Sequence, residues 1–481
     1  MTPRAGLAAI GASLGCFLLT ALLGPSAFQP ALPGPAGQPP FSLHAHPSPY
    51  LVVGLVAAGV LAGVLGLALC FRAVRRGWEG RARPLVAAGL VAAAAFALMP
   101  PVGSADHLNY ASYGRMAATG HDPYATTAND VPGDPVIGAA EEWRDTPSVY
   151  GPVTTAAQAL ASRIGGDSVR LTVFVLSVMN AAAFALAALL LHRLARDGRG
   201  RLRAALLWTC NPLLLFHLVA GGHNDVLAIA PMVAALGVFH ARSSWPRALA
   251  SGALTGFGAV VKLPAAFVGG GPVWVLLRAR RWTQLAALLA GAVVVAGGAY
   301  ALAGPHALDQ VTAASDMISL ATPWHLLAVL VRNRTLVKIV AYALLAVLVV
   351  LLGRALPDAG DGGERRAAAA LVLAWLFTAP YELPWYDGFG WALLALLPWS
   401  RFDAVLLAHT GALSLAYLPA RAPERIGLPG GLHWLVPVLR SAVIPLILTA
   451  VLAALVRECL RARRTAPATA ARPRSPAAPP R

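Results

Sequence analysis

The residues best placed to do chemistry lie between Ser104 and Pro152, where polar, aromatic and acidic side chains interrupt a chain that is otherwise mostly apolar. Eight of the twenty-one acidic residues fall from Asp106 to Asp167. The run from Gly103 to Tyr124 reads G-S-A-D-H-L-N-Y-A-S-Y-G-R-M-A-A-T-G-H-D-P-Y, and Asp106 comes six residues after an apolar stretch ends at Pro100. A carboxylate there can take a proton from a hydroxyl or cap the helix that follows. Tyr110, Tyr113 and Met116 recur at helical spacing, which predicts a short amphipathic helix along a membrane interface. Tyr110 and Arg115 are candidates for substrate contact from that helix.

Further along, Trp143 to Pro152 reads W-R-D-T-P-S-V-Y-G-P, a stiff turn that presents Trp143 and Tyr150 either to a sugar ring or to the membrane interface. His223, Asn224 and Asp225 sit at a tight turn between two apolar runs, as turn chemistry with a cap at Asp225 or as substrate contacts. Lys262, beside Pro264, interrupts an apolar run. A lysine facing lipid costs several kcal/mol, so it snorkels or faces a cavity, where its cation suits a phosphate. His325, Arg332 and Arg334 make a second candidate phosphate clamp. The turn Y-E-L-P-W-Y-D-G-F-G-W, Tyr381 to Trp391, places Trp385 in an interface belt or a cavity wall.

The elements that must position these residues are helices in a membrane. The chain has 481 residues, 57% hydrophobic and only 12% charged, against about 25% charged in soluble proteins. Apolar runs near 7–24, 50–71, 84–100, 169–192, 204–220, 225–240, 283–303, 335–353, 367–381, 388–399, 403–419 and 434–457 suit membrane helices. A broken pair at 248–262 and 264–277 brings the expected crossings to about fourteen, within a range of roughly twelve to fourteen. Arginines collect in alternate loops, which predicts both termini in the cytoplasm and the 101–168 loop outside. One membrane domain, 1–464, then ends in a disordered cytoplasmic tail, 465–481, rich in Pro, Ala and Arg. Residues 1–24 read as a retained first helix more readily than as a signal peptide.

The net charge of +17 does not imply a nucleic-acid partner, because the arginines bunch between apolar runs without interleaved aromatics. Four scattered cysteines, with no CxxC, indicate neither a disulfide framework nor a zinc site. No GxxxxGK[ST] or HExxH motif is present, which argues against a nucleotide motor and a metalloprotease. A lipid or solute transporter would place more ionisable groups at mid-membrane.

The ordered set S-A-D-H-L-N-Y-A-S-Y-G-R, G-H-D-P-Y, T-P-S-V-Y-G-P, N-P-L-L-L-F-H, G-G-H-N-D and K-L-P resembles the actinobacterial mannosyltransferases that use polyprenol-phosphate mannose, particularly the α-1,6 type that builds the mannan of lipomannan. The resemblance implies an all-α polytopic GT-C glycosyltransferase in the plasma membrane, with short interfacial helices in a large first extracytoplasmic loop. It also implies Asp106 as catalytic base, a polyprenyl-phosphate sugar as donor and a glycolipid or oligomannoside as acceptor. Inversion at the sugar, with Lys262 and His325, Arg332 or Arg334 receiving the phosphate, is the expected mechanism. No cofactor or obligatory metal is expected. Arabinose or glucose donors remain open, since spacing does not reveal hydroxyl contacts.

Overall fold

Every apolar run named above is helical in the structure, a computed structural model that describes residues 3–240, 242, 244–310, 316–360 and 362–465. In chain order the helices are α1 (Pro3–Leu23), α2 (Pro49–Arg75), α3 (Ala82–Ala97), α4 (Asp106–Ala118), α5 (Pro152–Gly165) and α6 (Val169–Leu194). Then come α7 (Gly198–Ala220), α8 (Val226–Val238), α9 (Trp245–Val261), α10 (Leu263–Arg278), α11 (Trp282–Ala303) and α12 (Pro323–Val331). The last are α13 (Arg334–Ala355), α14 (Glu364–Thr378), α15 (Asp387–Ala395), α16 (Phe402–Ala416) and α17 (Gly430–Ala462). Among the described residues there is no strand, only an isolated bridge between Ser26 and Gln29. The tail expected at 465–481 lies, beyond Thr465, outside the described residues.

Seven helices, α1, α2, α6, α7, α11, α13 and α17, are long and apolar enough to cross a membrane. The other expected crossings are shorter helices, with the apolar runs cut at steps such as Lys262-Leu263-Pro264 and Leu397-Pro398. The protein is a multi-pass membrane protein. Helices α11 and α13 turn Val293, Val294, Leu302 and Ile339 outward, as lipid contact requires. At the centre lies α7, buried from Leu202 to Ala220, with wide π-helical turns at Ala205–Thr209 and Leu215–Ala220. Its Asn211 side chain accepts from the N–H groups of Leu213 and Leu214, so the helix restarts at Pro212 without orphan donors. Trp208 on α7 stacks on Phe184 of α6 at 5.0 Å and donates to the Phe184 carbonyl.

The two ends of the bundle differ in chemistry. At one end Arg75 reaches the Ser400 carbonyl, Arg196 the Ala359 carbonyl, and Arg203 forms a fully buried pair with Asp403. Arg203 is thus a packed structural cation rather than a free loop charge. At the other end, segments far apart in sequence meet. Arg421 pairs with Glu141 at 2.6 Å and donates to the Ser26 carbonyl, while Ser319 hydrogen-bonds both backbone groups of Glu382.

Helix α4 differs from the interfacial helix expected for Asp106 to Ala118: none of its residues is exposed. It is sunk against α5 and α6, and two of its polar side chains find partners there. Tyr113 donates to the Thr146 carbonyl at 2.9 Å and Arg115 to Asp134 at 2.7 Å. Gly114 lets the α5 backbone at Gln158 approach where a Cβ would collide with it.

Candidate active site

Asp106 is held by its approach segment. Gly103 has φ +99, a conformation that favours glycine. Its N–H binds the Phe28 carbonyl at 2.8 Å, and the Val102 N–H binds the Ala220 carbonyl at 2.8 Å, so the turn is pinned to the end of α7. The Asp106 N–H donates to Ser104 Oγ at 3.2 Å. Ala105 occupies the cap position of α4, so the Asp106 carboxylate is not the capping group. It lines a cavity of about 720 Å³.

Behind Asp106 stands His223. Its Nδ1 donates to the His217 carbonyl at 2.5 Å, which fixes the tautomer and leaves Nε2 facing Ser104 Oγ at 3.1 Å and Asp106 Oδ2 at 3.6 Å. The ring lies flat on Trp385, centroids 3.5 Å apart. A neutral His223 accepts from the Ser104 hydroxyl; a protonated one turns its N–H toward Asp106. Either way the imidazole is fixed beside the carboxylate.

On the same cavity wall is Lys262, where α9 ends and α10 begins. Its ammonium is 3.1 Å from Asp225 Oδ1 and 3.4 Å from the Tyr386 hydroxyl. It also lies over the rings of Tyr386 and Tyr150, at 4.6 and 5.3 Å. An ammonium has three donors, so one remains for a ligand. Gly151 brings Tyr150 to this place: a Cβ at 151 would collide with the Val260 carbonyl, and Thr154 donates to the Val261 carbonyl at 2.9 Å. Burial pushes the Tyr150 phenol up, with Asp106 the next cause, so it meets a ligand as a neutral hydroxyl.

The cavity has two kinds of wall. Around Asp106 and Lys262 it is polar and aromatic, with Asn109, Tyr150, Trp385 and Tyr386. Toward α10 and α13 it is apolar, with Leu263, Pro264, Ala341 and Leu345. A charged headgroup and an aliphatic chain therefore have separate places in it.

The other residues singled out from the sequence fall in several places. Tyr110 is buried behind Tyr150, whose hydroxyl donates to it at 3.2 Å, and it does not line the cavity. Arg115 is away from the cavity, tied to Asp134 at 2.7 Å and Asp167 at 2.6 Å. Asn224 is buried, with no hydrogen-bond partner for its amide among the described residues. Asp225 makes no capping bond to α8 and instead pairs with Lys262. His325 and Arg334 line a second cavity, also about 720 Å³, and Arg332 is exposed on a left-handed helix end lining neither. Lys262 and the His325–Arg334 group thus serve different cavities: lying at one end of the bundle does not make them neighbours.

Sequence reasoning did not single out Ser104, His217, Trp375 or Tyr417. Ser104 stood beside Asp106 in the quoted motif, but the aromatics come from helix ends far along the chain. For a metal, the one group with ligand atoms close together among the described residues is buried Glu382, Asp387 and His409, within 4.8 Å of one another. Asp387 is already engaged there, accepting from His409 Nδ1 at 3.0 Å and Thr410 Oγ1 at 2.6 Å.

Comparison with known proteins agrees with the motifs. An alpha-(1->6)-mannopyranosyltransferase A of Mycobacterium tuberculosis is 26% identical over 366 residues, 70% of this chain and 69% of its own length. A probable alpha-(1->6)-mannopyranosyltransferase of Mycolicibacterium smegmatis is 30% identical over 210 residues, covering 41% of this chain and 34% of the relative. Alpha-(1->6)-mannopyranosyltransferase A of Corynebacterium glutamicum is 29% identical over 131 residues. That alignment covers 27% of this chain and 26% of the relative, so the likeness spans about a quarter to a third of the length of these last two. No solved structure matches the chain. The family model described as alpha-(1->6)-mannopyranosyltransferase, N-terminal domain, matches residues 9–278, over half the sequence, and the chain therefore belongs to that family.

Proposed function

We propose that the protein is an inverting mannosyltransferase that moves mannose from polyprenyl-phosphate mannose to a mannan or lipoglycan acceptor, in α-1,6 linkage, at the extracytoplasmic face. The observation that carries this reading is the presence of the Asp106 carboxylate and the Lys262 ammonium on one cavity with an apolar limb. Asp106 accepts the proton of the acceptor hydroxyl as its oxygen bonds to the anomeric carbon. The bond from that carbon to the phosphate oxygen breaks, and the charge left on the polyprenyl phosphate is met by Lys262. One displacement on a β-linked donor gives an α-linked product. The prenyl chain runs along the α10 and α13 wall.

Lys262 donates a charge-assisted hydrogen bond to the departing phosphate, and the proposed mechanism uses no obligatory metal. The gathering of arginines at the end of the bundle away from Asp106 supports cytoplasmic termini and an outward-facing site. A donor panel of polyprenyl-phosphate mannose, arabinose and glucose, supplied to purified protein with a short mannoside, tests the proposal. The expected result is α-1,6-mannosylated product, by mass and linkage analysis, from the mannose donor alone. Transfer from the arabinose or glucose donor instead contradicts it.

A further inference from the structure

The second cavity adjoins the first and shares Trp143, Tyr381 and Tyr417 with it. In its wall is Glu382, 4% exposed, whose Oε1 has no hydrogen-bond partner among the described residues. A buried carboxyl group left unpartnered is costly unless a ligand completes it. Its backbone is held by Ser319 at both the N–H and the carbonyl, and an ordered side-chain network stands beside its carboxyl group. Trp391 Nε1 donates to Thr410 Oγ1 at 2.9 Å, Thr410 Oγ1 donates to Asp387 at 2.6 Å, and His409 Nδ1 donates to Asp387 at 3.0 Å. His409 Nε2 then faces Glu382 Oε2 across 3.9 Å, too far for a direct hydrogen bond. A chain of four side chains thus ends on a carboxyl group with an open valence at a cavity wall.

We propose that the second cavity is the acceptor subsite and takes a neutral polyhydroxyl glycan, whose hydroxyls bind Glu382 and whose apolar C–H faces lie on Trp143. Burial, followed by the charge of Asp387, pushes Glu382 well above the usual carboxylate range, which suits exchange of hydrogen bonds with hydroxyls better than capture of a cation. Tyr417 joins the subsite to the base, since it lines both cavities and Asp106 lines the first. This rests on the glycosyl-transfer reading, assigns a separate place to the second substrate, and makes Glu382 a binding residue with His409 and Asp387 positioning it.

The test measures equilibrium binding of a labelled α-1,6-oligomannoside to the full chain in nanodiscs without donor, together with steady-state transfer. Wild type is expected to bind the oligomannoside. Glu382→Ala and Trp143→Ala should each weaken binding, and raise acceptor KM, by roughly tenfold or more, while Glu382→Ala leaves donor KM within about twofold and thermal melting confirms folding. His409→Gln, which withdraws the imidazole from Glu382, should weaken acceptor binding without moving donor KM. No oligomannoside binding by wild type, unchanged binding by both Glu382→Ala and Trp143→Ala, or a rise in donor KM in place of acceptor KM for Glu382→Ala overturns the subsite. Should wild type bind the glycan as described yet transfer no sugar from any donor, the subsite stands and the transferase reading fails.

Discussion

The Lys262 ammonium stands 3.1 Å from the Asp225 carboxylate, across the junction of α9 with the start of α8, and Asp225 has no exposed side-chain surface. The lysine therefore has two duties: it neutralises a buried acid and presents a positive charge to the cavity. Removing it strands Asp225, which costs about 3–5 kcal/mol. Lys262→Met is expected to melt several degrees lower in detergent and to lose transfer. The double variant Lys262→Met/Asp225→Asn should regain most of the melting temperature but not the activity. Recovery of both would show that Lys262 serves only the ion pair.

His107 gives a pH dependence with a defined sign. Its pKa is pushed from 6.5 down to about 3, first by burial and then, against the pull of Asp106, by His223 and Arg421. Neither ring nitrogen has a partner among the described residues. The unfolded chain therefore binds a proton that the fold refuses. This stability is present above pH 6.5 and is lost as the pH falls toward 3. His107→Leu should flatten that acid limb, protecting by about 3 kcal/mol near pH 4, while differing little from wild type at pH 8. Parallel melting curves of the two proteins across that range would refute the argument.

Gly151 sits where any side chain meets the Val260 carbonyl. Gly151→Ala is expected to push the Tyr150 turn away from Lys262, costing about 1–3 kcal/mol of stability and raising donor KM. An unchanged donor KM would mean that Tyr150 is not part of the lysine's cavity wall.

Some of this site could be read from residue types alone. A carboxylate just past the end of an apolar run and a lysine inside one are both expensive unless they face water or a ligand, so Asp106 and Lys262 stood out. Trp385 was legible for a different reason, its place in an aromatic turn that suits an interface belt or a cavity wall. Helix positions followed from apolar length, and the cut at Pro264 from proline chemistry, whereas the restart at Pro212 inside the 204–220 run was not read. The lateral arrangement was not legible. Loop charge tells which end of the bundle a residue occupies, but not which neighbour it finds there. Arg332, Arg334 and His325 therefore seemed able to join Lys262, and Arg115 seemed free for a ligand although Asp134 and Asp167 hold it. The chain from Trp391 to Glu382 joins the 382–391 turn to His409 and Thr410 on α16, and no local spacing marks that pairing.

The central claim is that Asp106 takes the proton from the acceptor. The most direct measurement is mannose transfer from polyprenyl-phosphate mannose by purified Asp106→Asn and Asp106→Ala beside wild type, with melting curves to confirm that each variant is folded. The account predicts loss on the order of 10²–10⁴-fold in turnover for both, with donor KM little changed. Turnover within a few-fold of wild type in either folded variant would contradict it.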